Sequence, residues 1–263
     1  MIKLFIGTSD TEDKWIEQIY LYSLYMNTDA ELDIRFLRPK MFKDWNKNGW
    51  GTPFTCFRYA VPELCNFEGR AIYTDVDQLN LRDISALYNM DLEDHAFAMA
   101  WDGLHDNGME WAQTPKAKGW FCDSVMVIDC EKAKEFVAPI SEIKNCEKNY
   151  KHQFVRGIGN PHKENTLGII KELDPRWNSF DGRDTSWYGD EILPVAGTPE
   201  ANDVIPNFDL EEIYHIHFTS MSTQPWHPIY SPWGKGTYLR DDIAAILWDY
   251  ARKVKTISNP EDF

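Results

Sequence analysis

Gly69-Arg70-Ala71-Ile72-Tyr73-Thr74-Asp75-Val76-Asp77 is the stretch that decides the fold class. It holds an apolar run of strand length, followed by two carboxylates with one residue between them. Side chains at positions i and i+2 of a strand point to the same side, so Asp75 and Asp77 share a side at the carboxyl end of the strand. Ligands of α/β sheets bind beyond such strand ends, and paired carboxylates suit Mg²⁺ or Mn²⁺. For the triplet taken alone, an acidic turn without a ligand is the plainer interpretation.

The segments around this stretch predict a single α/β domain over residues 1–263. Before it, a strand at 3–7, a helix at 15–26 and a strand at 32–37 predict a β-α-β unit with parallel strands. The other predicted elements are strands at 70–74, 96–101, 124–129 and 213–218, helices at 84–88 and 241–254 and from about 131, and a helix at 54–64 interrupted by Pro62.

Composition disfavours several function classes. The 263 residues include 27 Lys and Arg against 42 Asp and Glu, which gives a net charge of −15. An acidic surface repels phosphate backbones and anionic lipid, so nucleic-acid partners are disfavoured, although a local basic patch can override this. No apolar run approaches the ~18 residues of a membrane helix, and the N-terminus lacks a signal-peptide pattern. Five Cys without a CxxC motif argue against a disulfide framework and indicate the cytoplasm.

Two further residues are candidates for the same site. His217 lies at the end of an apolar strand, and a neutral imidazole is a common third ligand beside two carboxylates. His215 competes with it, because alternation places both side chains on one side of the strand. Arg58, between two aromatic residues, is suited to hold a diphosphate or a sugar. Taken singly, a hydrogen-bonded structural histidine and an ion pair on a helix face are the plainer interpretations.

Motifs on both sides of the opening stretch complete a pattern. Arg58-x-x-x-Pro62-x-Leu64 precedes it, and Asp83-Ile84 with Leu87 follow it. Further along come 125–129, Leu173-Asp174-Pro175-Arg176-Trp177-Asn178, His217-Phe218 and Gln224-Pro225-Trp226. In this order and spacing, the motifs resemble the GT-A glycosyltransferases of the glycogenin-like, family-eight type and their bacterial and viral relatives.

The resemblance implies a Rossmann-like GT-A fold, with a mixed, mostly parallel central sheet flanked by helices, that binds a nucleotide-diphosphate-sugar, first of all a UDP-sugar. Asp75, Asp77 and His217 would hold Mn²⁺ or Mg²⁺. The turn after the first strand would contact the base and ribose, and transfer would retain the anomeric configuration. The implied donor-binding residues are Thr8, Ser9, Asp10, Arg58, Asp75, Val76 and Trp226.

Three departures from the family pattern bear on turnover. Gln224 replaces the family's diphosphate-binding Lys, and an amide supplies no charge. Cys122-Asp123-Ser124 replaces Asn-x-Gly before a strand, so the sugar is not implied, and the family's Asp-Gln-Asp segment is not evident. The candidate catalytic residues are Asp102, Asp123 and Gln224. The alternative functions are an inactive nucleotide-sugar-binding protein of the same fold and, less favoured, a nucleotidyltransferase.

The acceptor and the oligomeric state are not assigned by the sequence. Five Trp in predicted loops are suited to stack on sugar rings, or else to anchor loops in the core. They are Trp45, Trp50, Trp111, Trp187 and Trp233.

Overall fold

A computed structural model describes residues 1–10, 14–46, 50, 52–102, 120–145, 169–180, 213–218, 224–226 and 241–257. The chain forms two compact units. Unit 1 comprises Met1–Glu12, Asp29–Val76 and Ile84–Asp174, and unit 2 comprises Asp13–Thr28, Asp77–Asp83 and Pro175–Phe263. The single domain over residues 1–263 stays a prediction.

Unit 1 is built on a mixed sheet. Its strands are β1 (Ile2–Gly7), β2 (Leu32–Leu37), β3 (Arg70–Asp75), β5 (Phe97–Asp102), β6 (Trp120–Asp129) and β7 (Ile170–Leu173). They lie in the order β2-β1-β3-β6-β5-β7. β1 pairs in parallel with β2 and β3, and β5 pairs in parallel with β7. Of the strands that the structure describes in this sheet, β6 alone is antiparallel to its neighbours. The predicted parallel pairing of the first two strands is confirmed.

The apolar run of β3 is buried on both faces of this sheet. Ala71, Ile72 and Tyr73 are all fully buried, as expected for a continuous apolar strand inside an α/β sheet. The surrounding core is rich in rings, and Trp45 and Trp50 belong to it. These two Trp are therefore core anchors, whereas Trp111, Trp187 and Trp233 lie outside the described residues.

Short helices connect the strands of unit 1. A 3-10 helix, Thr55–Ala60, leads into α2 (Val61–Leu64), where the sequence predicted one helix interrupted by Pro62. Pro62 lies in the first turn of α2, a position that needs no backbone N–H, so it begins the α-helical turn instead of breaking it. The other helices are α3 (Ile84–Tyr88), α4 (Cys130–Ala133) and α5 (Ile140–Ile143).

Unit 2 combines two helices with a small sheet. Its elements are α1 (Lys14–Asn27), β4 (Gln78–Asn80), β8 (Ser179–Phe180), β9 (His215–His217) and α6 (Asp241–Ile257). β9 is the middle strand, antiparallel to β4 and parallel to β8. The last predicted strand, 213–218, is thus shorter than expected, since it spans His215–His217. Its pairing with β4 places Gln78 opposite His217. No helix in the described part of the chain is long and apolar enough to cross a membrane.

Candidate functional site

Two polar clusters adjoin the segment Asp75-Val76-Asp77. The Arg58 cluster, in unit 1, consists of Arg58, Asp75, Asp123, Tyr59 and Tyr73. The Asp77 cluster, in unit 2, consists of Asp77, His217, Asn178 and Gln224. Each cluster draws its residues from segments far apart in the chain, and each is described by itself.

Arg58 binds two carboxylates in its cluster. Its Nη2 donates to Asp75 Oδ1 at 2.8 Å and Oδ2 at 2.9 Å, and its Nη1 donates to Asp123 Oδ1 at 2.5 Å. The hydroxyl of Tyr59 donates to the other oxygen of Asp123. The hydroxyl of Tyr73 donates to Asp75 Oδ1 at 2.6 Å. The network fixes the orientation of Asp75 at the carboxyl end of β3.

The charges in the Arg58 cluster offset the cost of burying them. Burial lowers the pKa of Arg58, but Asp123 and Asp75 outweigh that effect and hold its pKa well above the ordinary value. Burial, together with Asp75, raises the pKa of Tyr73 well above its ordinary value. Tyr73 therefore stays protonated and acts as a hydrogen-bond donor. The Arg58 guanidinium also lies over the Tyr73 ring, 4.9 Å from its centroid.

Gly7 makes room for this arrangement. It ends β1 and lies opposite Asp75 in the sheet, and its carbonyl accepts a hydrogen bond from Val76 N at 3.0 Å. A Cβ at position 7 would lie 2.0 Å from the Tyr73 hydroxyl oxygen and 2.9 Å from Phe54 Cδ2. The close approach of Tyr73 thus requires glycine, and it is this approach that brings the hydroxyl to Asp75.

His217 and Asn178 form the base of the Asp77 cluster. His217 Nδ1 lies 3.1 Å from Asn178 Oδ1. An amide oxygen only accepts, so Nδ1 carries the hydrogen, and in the neutral ring Nε2 presents its lone pair. That Nε2 lies 3.6 Å from Asp77 Oδ1. Asn178 thereby sets the ring orientation, as the outer partner of a metal-binding histidine does.

The facing atoms of Asp77 and His217 fit a divalent cation. Asp77 Oδ1 is buried and makes no hydrogen bond to the described residues. It faces a ring nitrogen that is also an acceptor in the neutral tautomer, and two facing acceptors need a proton or a cation between them. One carboxylate oxygen and one imidazole nitrogen are ligands that Mn²⁺ accepts. Asp75, two residues before Asp77 on the same stretch of chain, is the further predicted ligand.

Gln224 completes the Asp77 cluster as a hydrogen-bond donor. Its Nε2 donates to Asp77 Oδ2 at 3.0 Å and to the carbonyl of Phe218 at 2.7 Å. Asp77 thus has one oxygen bonded to Gln224 and one oxygen directed at His217. In this structure the amide orients a predicted metal ligand. Its catalytic role stays a prediction.

The predicted donor turn follows β1. Thr8 N donates to the carbonyl of Leu37, and Thr8 and Ser9 are buried whereas Asp10 is exposed. The turn lies at the carboxyl end of β1, where ligands of such sheets bind. The contact of these residues with a base and ribose stays a prediction.

The remaining predicted residues are spread over the fold. Val76 is fully buried, and its backbone N–H donates to the carbonyl of Gly7, so its contact with a donor stays a prediction. Trp226 packs edge-on against Phe218 and Trp15 in unit 2. Asp102 is the last residue of β5, opposite Trp120, and its side chain lies outside the described residues.

His215 differs from His217 in its surroundings. It is fully buried, tilted against the ring of Tyr20 at 5.7 Å, and neither ring nitrogen hydrogen-bonds to the described residues. Burial, followed by the influence of His217, lowers its pKa to about 3, so its ring is neutral at ordinary pH. Of the two histidines, His217 is the one that contacts a carboxylate.

Three residues of the clusters are absent from the predicted site. Asn178 was recognised only as part of the Trp177-Asn178 motif, whose position before β8 brings it to His217. Tyr59 and Tyr73 flank Arg58 and Asp75 in the sequence. Their position in the sequence was the available signal, because a buried tyrosine hydroxyl usually finds a hydrogen-bond partner and charged residues lie beside both tyrosines.

Known proteins share this fold. The galactosyltransferase LgtC, in a complex with donor and acceptor sugar analogues, is 15% identical, covers 98% of both chains and gives a TM-score of 0.60. GlyE, a glycosyltransferase of Streptococcus pneumoniae TIGR4, is 17% identical with a TM-score of 0.53, covering 95% of this chain and 60% of its own. Mouse xyloside xylosyltransferase 1 is 13% identical with a TM-score of 0.53, covering 83% of this chain and 97% of its own.

Sequence similarity is more limited. General stress protein A of Bacillus subtilis (strain 168) is 30% identical over 131 residues, which are 47% of this chain and 44% of that protein. The match thus spans less than half of the relative's length. No family model matches the chain. The structural matches show that the chain has the GT-A glycosyltransferase fold, which confirms the predicted fold class.

Proposed function

We propose that this protein is a metal-dependent, retaining glycosyltransferase that moves a sugar from a nucleotide-diphosphate-sugar to an acceptor. UDP-sugars are the first donors to test. The observation that carries the proposal is the Asp77–His217 pair, in which a buried carboxylate oxygen that makes no hydrogen bond to the described residues lies 3.6 Å from a ring nitrogen. The fold supports the same class of function.

Asp75, Asp77 and His217 are the proposed metal ligands. When bound, Mn²⁺ or Mg²⁺ would neutralise the donor diphosphate and stabilise charge on the leaving nucleotide. Asn178 orients His217, and Gln224 orients Asp77. Asp75 accepts from Arg58 and from Tyr73, which fixes the orientation of its carboxylate. Its coordination of the metal is part of the proposal.

We assign the Arg58 cluster a positioning role in this function. Both oxygens of Asp123 accept hydrogen bonds, from Arg58 and from Tyr59. Asp123 therefore holds Arg58, and Arg58 in turn holds Asp75 beside the donor. Among the remaining residues, Thr8, Ser9 and Asp10 are proposed to contact the nucleotide, Val76 and Trp226 to line the donor site, and Asp102 to contact the sugar or acceptor.

The proposed chemistry depends on position more than on a strong base. Retention follows from the resemblance to family-eight enzymes, with attack on the same face as the departing nucleotide. Such a reaction needs a stabilised leaving group and an oriented acceptor hydroxyl. The oriented hydrogen bonds around Asp75 and Asp77 support the first need, because they would hold in place two ligands of the cation that stabilises the leaving group.

A donor-cleavage assay tests the function. The protein is incubated with UDP-, GDP-, CDP- and dTDP-sugars and Mn²⁺, while nucleoside diphosphate release and the anomeric configuration of the product are followed by NMR. We expect release from one donor, with retention, that is lost in Asp77→Asn. Asp44→Asn, which changes an exposed carboxylate of unit 1, is the matched control and should retain activity. Inversion would contradict the stereochemistry, and Mn²⁺-independent release would contradict the metal site.

A second candidate function is favoured by Gln224. The family's lysine would supply charge to a diphosphate, whereas the amide of Gln224 supplies none and is bonded to Asp77 and Phe218. Metal-dependent donor binding without any release, across a broad acceptor panel, would support a nucleotide-sugar-binding protein instead of an enzyme.

A further inference from the structure

A cleft of about 400 Å³ lies on unit 2 and shares no residue with the Asp77 cluster. One of its residues, Trp15, packs against Trp226. Trp15, Trp248, Ala251, Arg252 and Lys255 line it. Four of these five residues belong to α6, at the three- and four-residue spacing that places them along one side of the helix. The volume lies within the roughly 300–1,000 Å³ of typical small-molecule sites.

Two indole rings form the wall of the cleft. Trp15, from α1, and Trp248 stack with ring centroids 5.8 Å apart and planes 16° from parallel. Trp248 is 37% exposed, so part of its ring is open to solvent. Ala251 is small, so it leaves room between Trp248 and the turn that carries Lys255. Exposed indole faces of this kind pack against the C–H faces of sugar rings.

Basic side chains border the same cleft. From Trp248 to Ile257, α6 carries three basic residues and one acidic residue, Asp249. Asp249 accepts from Arg252 at 3.4 Å and from Lys253 at 2.6 Å. Basic residues thus outnumber the acidic one in this segment, which carries a net positive charge although the chain as a whole has a net charge of −15.

We propose that this cleft, defined by Trp15, Trp248, Arg252 and Lys255, is an acceptor subsite for an acidic glycan. The indoles would pack on a sugar ring, while Arg252 and Lys255 would pair with its carboxylate or phosphate group. The assignment of acceptor rests on the glycosyltransferase function proposed above. The local positive charge attracts an anionic ligand, which the acidic residues elsewhere in the chain would repel.

A calorimetric titration tests the site. Trigalacturonic acid supplies the carboxylate, a phosphorylated maltotriose supplies the phosphate, and maltotriose is the neutral ligand. We expect one acidic trisaccharide to bind at low salt and the neutral one to bind at least about fivefold more weakly. The acidic ligand that binds identifies which anionic group the cleft takes. Equal binding of the neutral ligand would overturn the assignment, as would no binding of either acidic ligand.

Matched variants locate the binding. Trp248→Ala should weaken binding about tenfold, and Trp248→Phe, which keeps a ring, should weaken it less. Lys255→Gln should weaken it about two- to fivefold. Lys40→Gln removes the same charge from an exposed side chain of unit 1 that does not line the cleft, and should leave the affinity unchanged. Equal effects of the two lysine variants would contradict the site.

Glycan binding at the cleft can be tested separately from nucleotide-sugar binding at the donor site. Asp77→Asn should abolish metal-dependent donor binding and leave binding of the acidic trisaccharide intact. Acidic-glycan binding in a protein that binds no nucleotide-sugar would keep the cleft as a glycan site and remove its role as acceptor subsite. Binding to phosphatidylglycerol vesicles without binding to either acidic trisaccharide would overturn the inference in favour of a membrane surface.

Discussion

Gln224 donates its side-chain amide to Asp77 Oδ2 at 3.0 Å, the carboxylate oxygen that does not make the His217 contact. The neutral residue that replaces the family's lysine is thus a direct partner of a proposed metal ligand. A lysine in the same place would put a full positive charge beside that ligand. The departure from the family pattern therefore changes the environment of Asp77 itself.

Gln224→Met is expected to weaken the metal site and the fold together. The apolar side chain removes the donor shared by Asp77 and the Phe218 carbonyl, which lowers the free energy of unfolding by about 1–3 kcal/mol. Loss of an outer partner should weaken Mn²⁺ affinity about 10- to 100-fold. Urea unfolding and Mn²⁺ titration by electron paramagnetic resonance measure the two effects. Asn145→Leu, at an exposed amide, is the control, and unchanged Mn²⁺ affinity in Gln224→Met would contradict the assignment.

Gly7→Ala is expected to lower the free energy of unfolding by about 1–3 kcal/mol, because the added methyl group would meet the Tyr73 hydroxyl at 2.0 Å. Adding Tyr73→Phe removes that hydroxyl and should restore part of the loss. Gly69→Ala is the comparison, since nothing lies within 4 Å there and only its φ of +66° is strained. Tyr73→Phe should not rescue Gly69→Ala in urea unfolding. Rescue of both variants would show that the steric explanation is wrong.

Arg58→Met is expected to be among the most destabilising single changes in unit 1. It leaves Asp75 and Asp123 buried without their cation, which costs about 3–5 kcal/mol. Arg70→Met is the matched control. It removes two hydrogen bonds to the carbonyls of Tyr88 and Met90 and leaves no buried carboxylate unpaired. Chemical unfolding compares the two, and equal losses would contradict the electrostatic role of Arg58.

Cys65 is expected to react with iodoacetamide at lower pH than its neighbour Cys130. A hydrogen bond from Cys130, aided by Lys3 and Arg35, lowers the pKa of Cys65 to about 7 against the opposing effect of burial. The Cys65 thiolate, and with it the alkylation rate, therefore increases as pH rises through 7. The pKa of Cys130 is raised, so Cys130 stays a thiol there. Peptide mass spectrometry between pH 6 and 9 follows each site.

Cys130→Ala tests whether the hydrogen bond from Cys130 is the cause of the lowered pKa of Cys65. Without the hydrogen bond, the reaction midpoint of Cys65 should move up toward the ordinary pKa of a thiol. Cys56, which is buried in the same core, serves as the internal reference. A midpoint that stays near 7 in Cys130→Ala would show that the charges of Lys3 and Arg35, and not the neighbouring thiol, set the pKa.

Local patterns in the sequence predict most of the described elements. The strand at 32–37 and the helix at 84–88 occur with the predicted bounds. Alternation of apolar and polar residues predicts the strand, and helical spacing of apolar residues predicts the helix, so neighbouring residues suffice for both. The segment 54–64 differs, because its 3-10 geometry places Arg58 toward partners that lie 17 and 65 residues away. No local pattern specifies such pairs.

The proposed ligands could be named from the sequence, whereas the residues that hydrogen-bond to them could not. Asp75, Asp77 and His217 follow from motif order, since two lie at one strand end and one lies in a short apolar strand. Asn178, which directly precedes β8, reaches His217 because β8 pairs with β9. Gln224, which lies outside the sheet, reaches Asp77 from six residues beyond Phe218. Sequence spacing alone does not show which amide faces which ligand.

A thermal-shift measurement with nucleotide-diphosphate-sugars tests the central claim, metal-dependent donor binding, most directly. Wild type, Asp77→Asn and Asp44→Asn are each heated with a donor panel, with and without Mn²⁺. A donor at a hundredfold its dissociation constant stabilises the fold by about 2.7 kcal/mol, which is readily seen. We predict a shift with one donor that requires Mn²⁺, survives in Asp44→Asn and disappears in Asp77→Asn. A donor shift of equal size without Mn²⁺, or one retained in Asp77→Asn, would contradict the account.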